Sequence, residues 1–243
     1  MTLSDAEGGI LISCDVRDLS ELDTLVLATH DIDGIAGYKL GISLALSCGL
    51  TEAVRRVRAV CSLPIVYDHQ KGATDIPAMG ALFARVCASA GVHAAILFPL
   101  SGPATERAWI KELRTAGVEP VVGGLMTHPG FLESEGGFLL DDAPRRMIAA
   151  AREEGVTSFV VPGTKLELAS ALAAGLGQDA RFLVPGIGTQ GGTIDALARQ
   201  LPIRQCYPII GSAVYNSPSP RGSAEKFGES YRKALEEGQP WVS

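Results

Sequence analysis

Long hydrophobic runs are missing from this 243-residue chain. No stretch approaches the ~18 uninterrupted apolar residues of a membrane-spanning helix, so no membrane partner is expected. Positive charge is also short. Lys and Arg number 21 against 27 Asp and Glu, the formal charge is −6, and no basic block occurs, which argues against a nucleic-acid or anionic-membrane surface. Cysteine is sparse and scattered: Cys14, Cys48, Cys61, Cys87 and Cys206 form no C-x-x-C pair. Neither a zinc site nor a disulfide framework is therefore expected, and small buried thiols in a reducing cytoplasm are the simplest reading. The opening MTLSDAEGG is polar and acidic and is not expected to act as a secretory signal. Linkers and low-complexity segments are absent too, so one domain over 1–243 is expected. Glycine and proline, by contrast, are plentiful at 28 and 14, without period, which signals many turns.

What is present is a repeat of short apolar runs: GILISCD (9–15), GYKLG (37–41), PIVYD (64–68), HAAILF (93–98), EPVVGGLM (119–126), TSFVV (157–161), RFLVP (181–185) and YPIIG (207–211). Their mean spacing is about 28 residues, the size of a strand–helix unit. Between them lie helical patterns. LTEAVRRVRAVC places Ala53, Val54, Val57 and Val60 on one stripe. TERAWIKELRTAG starts at a plausible cap, Thr105, and stops at Gly117. DDAPRRMIAAAREEG has Pro144 in its first turn and Gly155 past its end. Eight apolar strands alternating with amphipathic helices predict an α/β fold, a closed (β/α)8 TIM barrel. An open doubly wound sheet is the alternative.

In such a barrel the chemistry sits where strands end. There the sequence places Asp15, Lys39, Asp68, Lys71 and Asp75, then Thr127 and His128, the PGTK of strand six, PGIGTQGG with Gln190, and GSAVYN. Alternating acids and lysines on three consecutive strands can hold ammonium groups protonated beside fixed carboxylates. That suits expulsion of an anionic group followed by protonation of the carbon left behind. A lysine inside an apolar run, as at Lys39, is costly unless paired. The glycine-rich turn after strand seven would offer backbone N–H groups to an anion, and GSAVYN would complete a phosphate site. His128, followed by Pro-Gly, reads as a turn former; Tyr67, Phe98 and Trp109 read as packing.

YDHQKGATDIP, MTHPG, VVPGTK and PGIGTQGG, in this order, resemble the orotidine 5′-monophosphate decarboxylase family. The resemblance runs from strand one to strand eight. It implies a homodimeric (β/α)8 barrel that needs no metal or organic cofactor and decarboxylates orotidine 5′-monophosphate to UMP in pyrimidine biosynthesis. It also implies that Asp15 binds the ribose hydroxyls, Lys39 pairs with Asp68, Lys71 protonates C6 of the pyrimidine, and Asp75 reaches into the partner's site. Thr127 would touch the pyrimidine, with Pro185, Gln190, Gly191, Gly211 and Ser212 completing the substrate site.

Two departures stand out. The family signature is D-x-K-x-x-D, whereas Lys71 lies three residues after Asp68 and Asp75 four after Lys71. Residues i and i+3 of a regular strand face opposite ways, so DHQKG must bulge or turn, with Gly72 helping. The family's phosphate-gripping arginine is also absent: Ser212 holds its place, and Arg221 is the nearest substitute downstream. Met79 stands where the family often has threonine. Two rival activities are a magnesium-dependent phosphosugar decarboxylase or aldolase and a non-catalytic nucleotide-binding barrel.

Overall fold

The computed structural model describes residues 8–237. Eight parallel strands close on themselves in chain order: β1 (Ile10–Cys14), β2 (Ile35–Gly41), β3 (Ile65–Gly72), β4 (Ala94–Leu97), β5 (Glu119–Gly123), β6 (Ser158–Val160), β7 (Arg181–Pro185) and β8 (Cys206–Ile210), with β8 pairing back onto β1. The open-sheet alternative is thereby excluded. Helices α1 (Leu19–Thr29), α2 (Ile42–Cys48), α3 (Leu50–Val60), α4 (Gly80–Ala90), α5 (Pro103–Thr115), α6 (Ala143–Glu153), α7 (Leu166–Ala173), α8 (Ile194–Gln200), α9 (Ser212–Tyr215) and α10 (Pro220–Glu237) fill the connections.

Strand side chains alternate in direction, so each strand feeds two cores. Leu11, Val66, Ala94, Ile96, Phe98, Val121, Val160, Leu183, Tyr207 and Ile209 fill the barrel interior. The residues between them, such as Ile10, Ile12, Tyr38, Leu40 and Phe182, face outward and meet the apolar stripes of the helices. In α3, Ala53, Val54 and Val57 are buried as their spacing predicts, while Arg55 is left to solvent. The same alternation sends Ser13, Lys39 and Asp68 inward near the carboxyl ends of β1–β3, where the apolar filling stops.

Helix α5 corrects one expectation. It begins at Pro103, after Gly102, rather than at a Thr105 cap, because proline suits the first helical turn. Thr105 is instead buried and donates its hydroxyl to the Asp75 carbonyl at 3.0 Å, while Trp109 donates its indole N–H to the Ile76 carbonyl at 3.1 Å. These two bonds pin the turn that carries Asp75 against α5.

Candidate active site

Asp15, Lys39, Asp68 and Lys71 form one connected array at the mouth of the barrel. Ser13 Oγ donates to Asp15 Oδ2 at 2.7 Å, and the same oxygen lies 3.9 Å from Lys39 Nζ. Lys39 Nζ is 3.1 Å from Asp68 Oδ2, which in turn lies 3.9 Å from Lys71 Nζ. Lys71 also sits over the Phe98 ring, 4.8 Å from its centroid, where the π face favours a cation. The order is acid, base, acid, base, so each inner group has two neighbours of opposite sign.

The expected distortion of DHQKG is present, and the left-handed residues that make it are not the glycine. The β3–β4 register shifts between Asp68 and Gly72. Gln70 and Lys71 turn the chain with φ of 49° and 80°, and Ala73 follows at 68°, whereas Gly72 is not in the left-handed region. Such a backbone costs ~1–3 kcal/mol per non-glycine residue and must be held by its surroundings. Part of the hold is local: the Gln70 N–H donates to Asp68 Oδ1 at 3.0 Å. Gly72 serves differently, since a Cβ there would stand 3.2 Å from the Ile96 carbonyl oxygen. It lets β3 rejoin β4 closely after the turn, and the turn brings Lys71 to the same side as Asp68.

Electrostatics separate the two lysines. Burial pulls the Lys39 ammonium pKa down, but the Asp68 and Asp15 carboxylates outweigh it, and Lys39 lies above the ordinary lysine value. Burial likewise pushes Asp68 up, and the charges of Lys39 and Lys71 more than reverse this. Lys71 is different: burial dominates, Asp68 offsets it only in part, and its pKa lies below the ordinary value. One lysine is thus locked as a cation and the other gives up its proton more readily. Removing one partner of a buried pair such as Lys39–Asp68 costs roughly 3–5 kcal/mol, because the other charge is left uncompensated.

The array opens into a cavity of about 290 Å³. Of the expected residues, Asp15, Lys39, Asp68, Lys71, Thr127, Pro185, Gln190, Gly211 and Ser212 line it. Gly191 does not: it turns the loop at φ 98° and its N–H donates to the Gly188 carbonyl. The amides of Gly188 and Gly192 are likewise bonded within the loop, so fewer N–H groups face an anion than the glycine content promised. Asp75 lies outside this cavity, exposed, with Oδ1 accepting from the Ile76 N–H at 2.7 Å. It borders a separate depression lined by Leu46, Met79, Leu82 and Val86. Arg221 does not reach the cavity, being held by Asp31 at 2.8 Å and Glu225 at 3.0 Å. Lys165 of the PGTK segment pairs with Glu135 instead, and His128 packs edge-on against Phe131.

Phe98 packs in the barrel interior as read, and it also forms part of the cavity wall beneath Lys71. Counting parity from Ile96 would have found it: 94, 96 and 98 share the inner side. Ser13, two residues before Asp15, was legible the same way. Tyr215 and Gln70, which also line the cavity, had no periodic signal because they sit outside regular strand geometry. Among the described residues, no three His, Cys, Asp or Glu side chains come together in a way that could hold a metal ion.

Residues 10–227 match the sequence profile described as the orotidine 5′-phosphate decarboxylase / HUMPS family. The chain belongs to that family. The orotidine 5′-phosphate decarboxylase of Pyrococcus furiosus is 30% identical over 225 residues, covering 92% of this chain and 98% of that protein. The Pyrococcus abyssi enzyme of the same name is 28% identical over 223 residues, covering 92% and 99%. Among solved structures, orotidine 5′-phosphate decarboxylase from Pyrococcus horikoshii superposes with a TM-score of 0.75 at 27% identity, over 92% of this chain and 99% of the other. The Methanocaldococcus jannaschii enzyme complexed with the inhibitor BMP superposes at 0.81 and, at 24% identity, bears on the fold alone. For this member of the orotidine 5′-phosphate decarboxylase / HUMPS family, the match spans the array, the β3 turn and the loops after β7 and β8.

Proposed function

We propose that the chain decarboxylates orotidine 5′-monophosphate to UMP in cytoplasmic pyrimidine biosynthesis, acting as a homodimer without metal or organic cofactor. The observation that carries this reading is the Asp15–Lys39–Asp68–Lys71 array, in which a lysine of lowered pKa stands beside a fixed carboxylate. The C6–carboxylate bond breaks, carbon dioxide leaves, and the electron pair remains on C6. Lys71 stabilises that developing charge and then transfers an Nζ proton to the carbon. Asp68 lies beside the substrate carboxylate, Lys39 holds Asp68 in place, and Asp15 takes the ribose hydroxyls. Thr127 contacts the pyrimidine; Pro185, Gln190, Gly211 and Ser212 close the opposite end, with Gly191 shaping the loop.

Asp75 completes the site from the partner subunit in this reading. It lines the separate depression and not its own cavity, and Leu46, Ile76, Met79, Leu82 and Val86 are exposed nearby. A clustered apolar patch of this kind supports an interface at this face.

The test is loss of the orotate chromophore when purified protein meets orotidine 5′-monophosphate with a chelator present. Lys71→Ala should abolish turnover and still bind nucleotide; substantial residual turnover would remove Lys71 as donor. Activity that disappears on chelation would favour a magnesium-dependent phosphosugar enzyme. Mixing Lys71→Ala with Asp75→Asn subunits should restore part of the activity, and failure to do so would remove Asp75 from the partner's site.

A further inference from the structure

The two ends of the cavity differ in charge. Asp15, Lys39, Asp68 and Lys71 gather at the β1–β3 end, two acids against two bases. The β7–β8 end is walled by Gly186, Thr189, Gln190, Gly211, Ser212 and Tyr215, and among the described residues no ammonium or guanidinium lines it. Arginines near this end in the chain are engaged elsewhere: Arg17 bonds Glu21 with Nε at 2.6 Å, and Arg221 bonds Asp31 and Glu225. A phosphoryl dianion set against Asp15 and Asp68 would be repelled, so it belongs at the β7–β8 end, where the side-chain donors are neutral.

Two of those donors are coupled. Thr189 Oγ1 and Ser212 Oγ stand 2.7 Å apart across the gap between the β7–α8 loop and α9. Close packing of the Gly188 backbone on the Ala213 side chain brings the two segments together: Gly188 has φ 93°, and a Cβ on it would stand 3.1 Å from the Ala213 Cβ. Each hydroxyl owns one proton and two lone pairs. As the pair stands, one proton lies between the oxygens and the other is free to point outward. A phosphate seated over the pair accepts both protons, replacing one neutral bond with two charge-assisted bonds.

We propose that the Thr189–Ser212 hydroxyl pair is the phosphate clasp of this enzyme, recognising the phosphoryl group without a cation. The proposal rests on the reading of the cavity as an orotidine 5′-monophosphate site and names how that site takes the phosphate. Its signature is an affinity nearly independent of salt, since neither the neutral clasp nor the balanced array presents net charge for salt to screen.

The experiment is calorimetric titration of UMP and of uridine into the wild type, Thr189→Val, Ser212→Ala, Ser212→Thr and Ser212→Arg, at low and high ionic strength. Thr189→Val and Ser212→Ala should each weaken UMP about tenfold or more, and leave uridine unchanged. Ser212→Thr should keep UMP affinity, wild-type affinity should vary less than about threefold with salt, and Ser212→Arg should make it salt-dependent. UMP affinity unchanged in both deletion variants, or falling steeply with salt in the wild type, would overturn the clasp. Wild-type protein that consumes orotidine 5′-monophosphate while both variants bind UMP normally sinks the clasp alone. Wild-type protein that neither binds UMP nor turns over substrate sinks the proposed function and the clasp with it.

Discussion

Replacing Gly41 with alanine isolates the contribution of Asp15 with almost no other disturbance. Gly41 ends β2 and precedes α2 with φ −94° and ψ 176°, a backbone any residue adopts, so alanine meets no conformational penalty there. The added Cβ, however, would stand 2.1 Å from Asp15 Oδ1, 3.4 Å from Asp15 Cγ and 3.7 Å from Gln70 Nε2. A carbon–oxygen approach of 2.1 Å is impossible, and the carboxylate must retreat by about an ångström or more to reach normal contact. Retreat gives up the Ser13 hydrogen bond at 2.7 Å and loosens the Asp15–Lys39 pair at 3.9 Å. The hydrogen bond is worth ~0.5–1.5 kcal/mol and the half-exposed ion pair ~0–1 kcal/mol. Loss of unfolded-chain entropy on going from glycine to alanine returns ~0.4–1 kcal/mol. The net destabilisation is therefore about 1 kcal/mol, whereas a catalytic group displaced by about 1 Å costs on the order of 100-fold in rate. Urea unfolding and the orotate-chromophore assay should show that split: a small change in midpoint and a 10- to 100-fold fall in kcat/KM, roughly 1.4–2.7 kcal/mol of transition-state stabilisation. Asp15→Ala should lose a similar amount, and the double variant Gly41→Ala/Asp15→Ala no more than Asp15→Ala alone. Full activity in Gly41→Ala, or additive losses in the double variant, would refute the assignment of its effect to Asp15.

Lys71 must be protonated to donate, so activity falls as pH rises through its depressed pKa; the alkaline limb of the kcat profile should lie below the ordinary lysine value of 10.5, and an unshifted limb would contradict the burial argument. Asp68→Asn removes the charge that offsets burial, and an Nζ titration by NMR should place Lys71 lower still. Glu106 in α5 is buried, its Oε1 has no hydrogen-bond partner, and burial pushes its carboxyl up to about 7. A raised acid binds its proton more tightly in the folded state, so stability drains away as pH rises from about 4.5 to about 7. Glu106→Gln should raise stability at pH 8 by ~1–3 kcal/mol and hardly at all near pH 4, judged by denaturant unfolding at both. Leu82→Arg places a charge in the exposed apolar patch and should shift sedimentation toward monomer with loss of turnover; an unchanged assembly would move the interface elsewhere.

What could be read in advance divides along the line between strand and rim. Inside a strand, parity fixes direction, so Lys39 in an apolar run could be seen to need a carboxylate, and Asp68 supplies it at 3.1 Å. Parity also exposed the conflict between Asp68 and Lys71, which only a turn resolves. Gly72 is expected to help, because glycine enters positive φ without cost. The protein places the turn on Gln70 and Lys71, and the Asp68–Gln70 bond that helps to hold them depends on a carboxylate already fixed by Lys39. A tertiary charge network thus sets a local backbone choice that residue preference opposes. On the rim there is no parity. The PGIGTQGG loop promised amides for an anion, yet Gly188, Gly191 and Gly192 spend theirs on the loop's own carbonyls, which keeps the loop compact. In the proposed clasp the anion-binding capacity passes from backbone to side chain, to hydroxyls that composition does not distinguish from any solvated serine or threonine. The reacting end is therefore legible because its charges are buried and must be paired, and the binding end is not, because neutral donors at a surface need no partner to be tolerated.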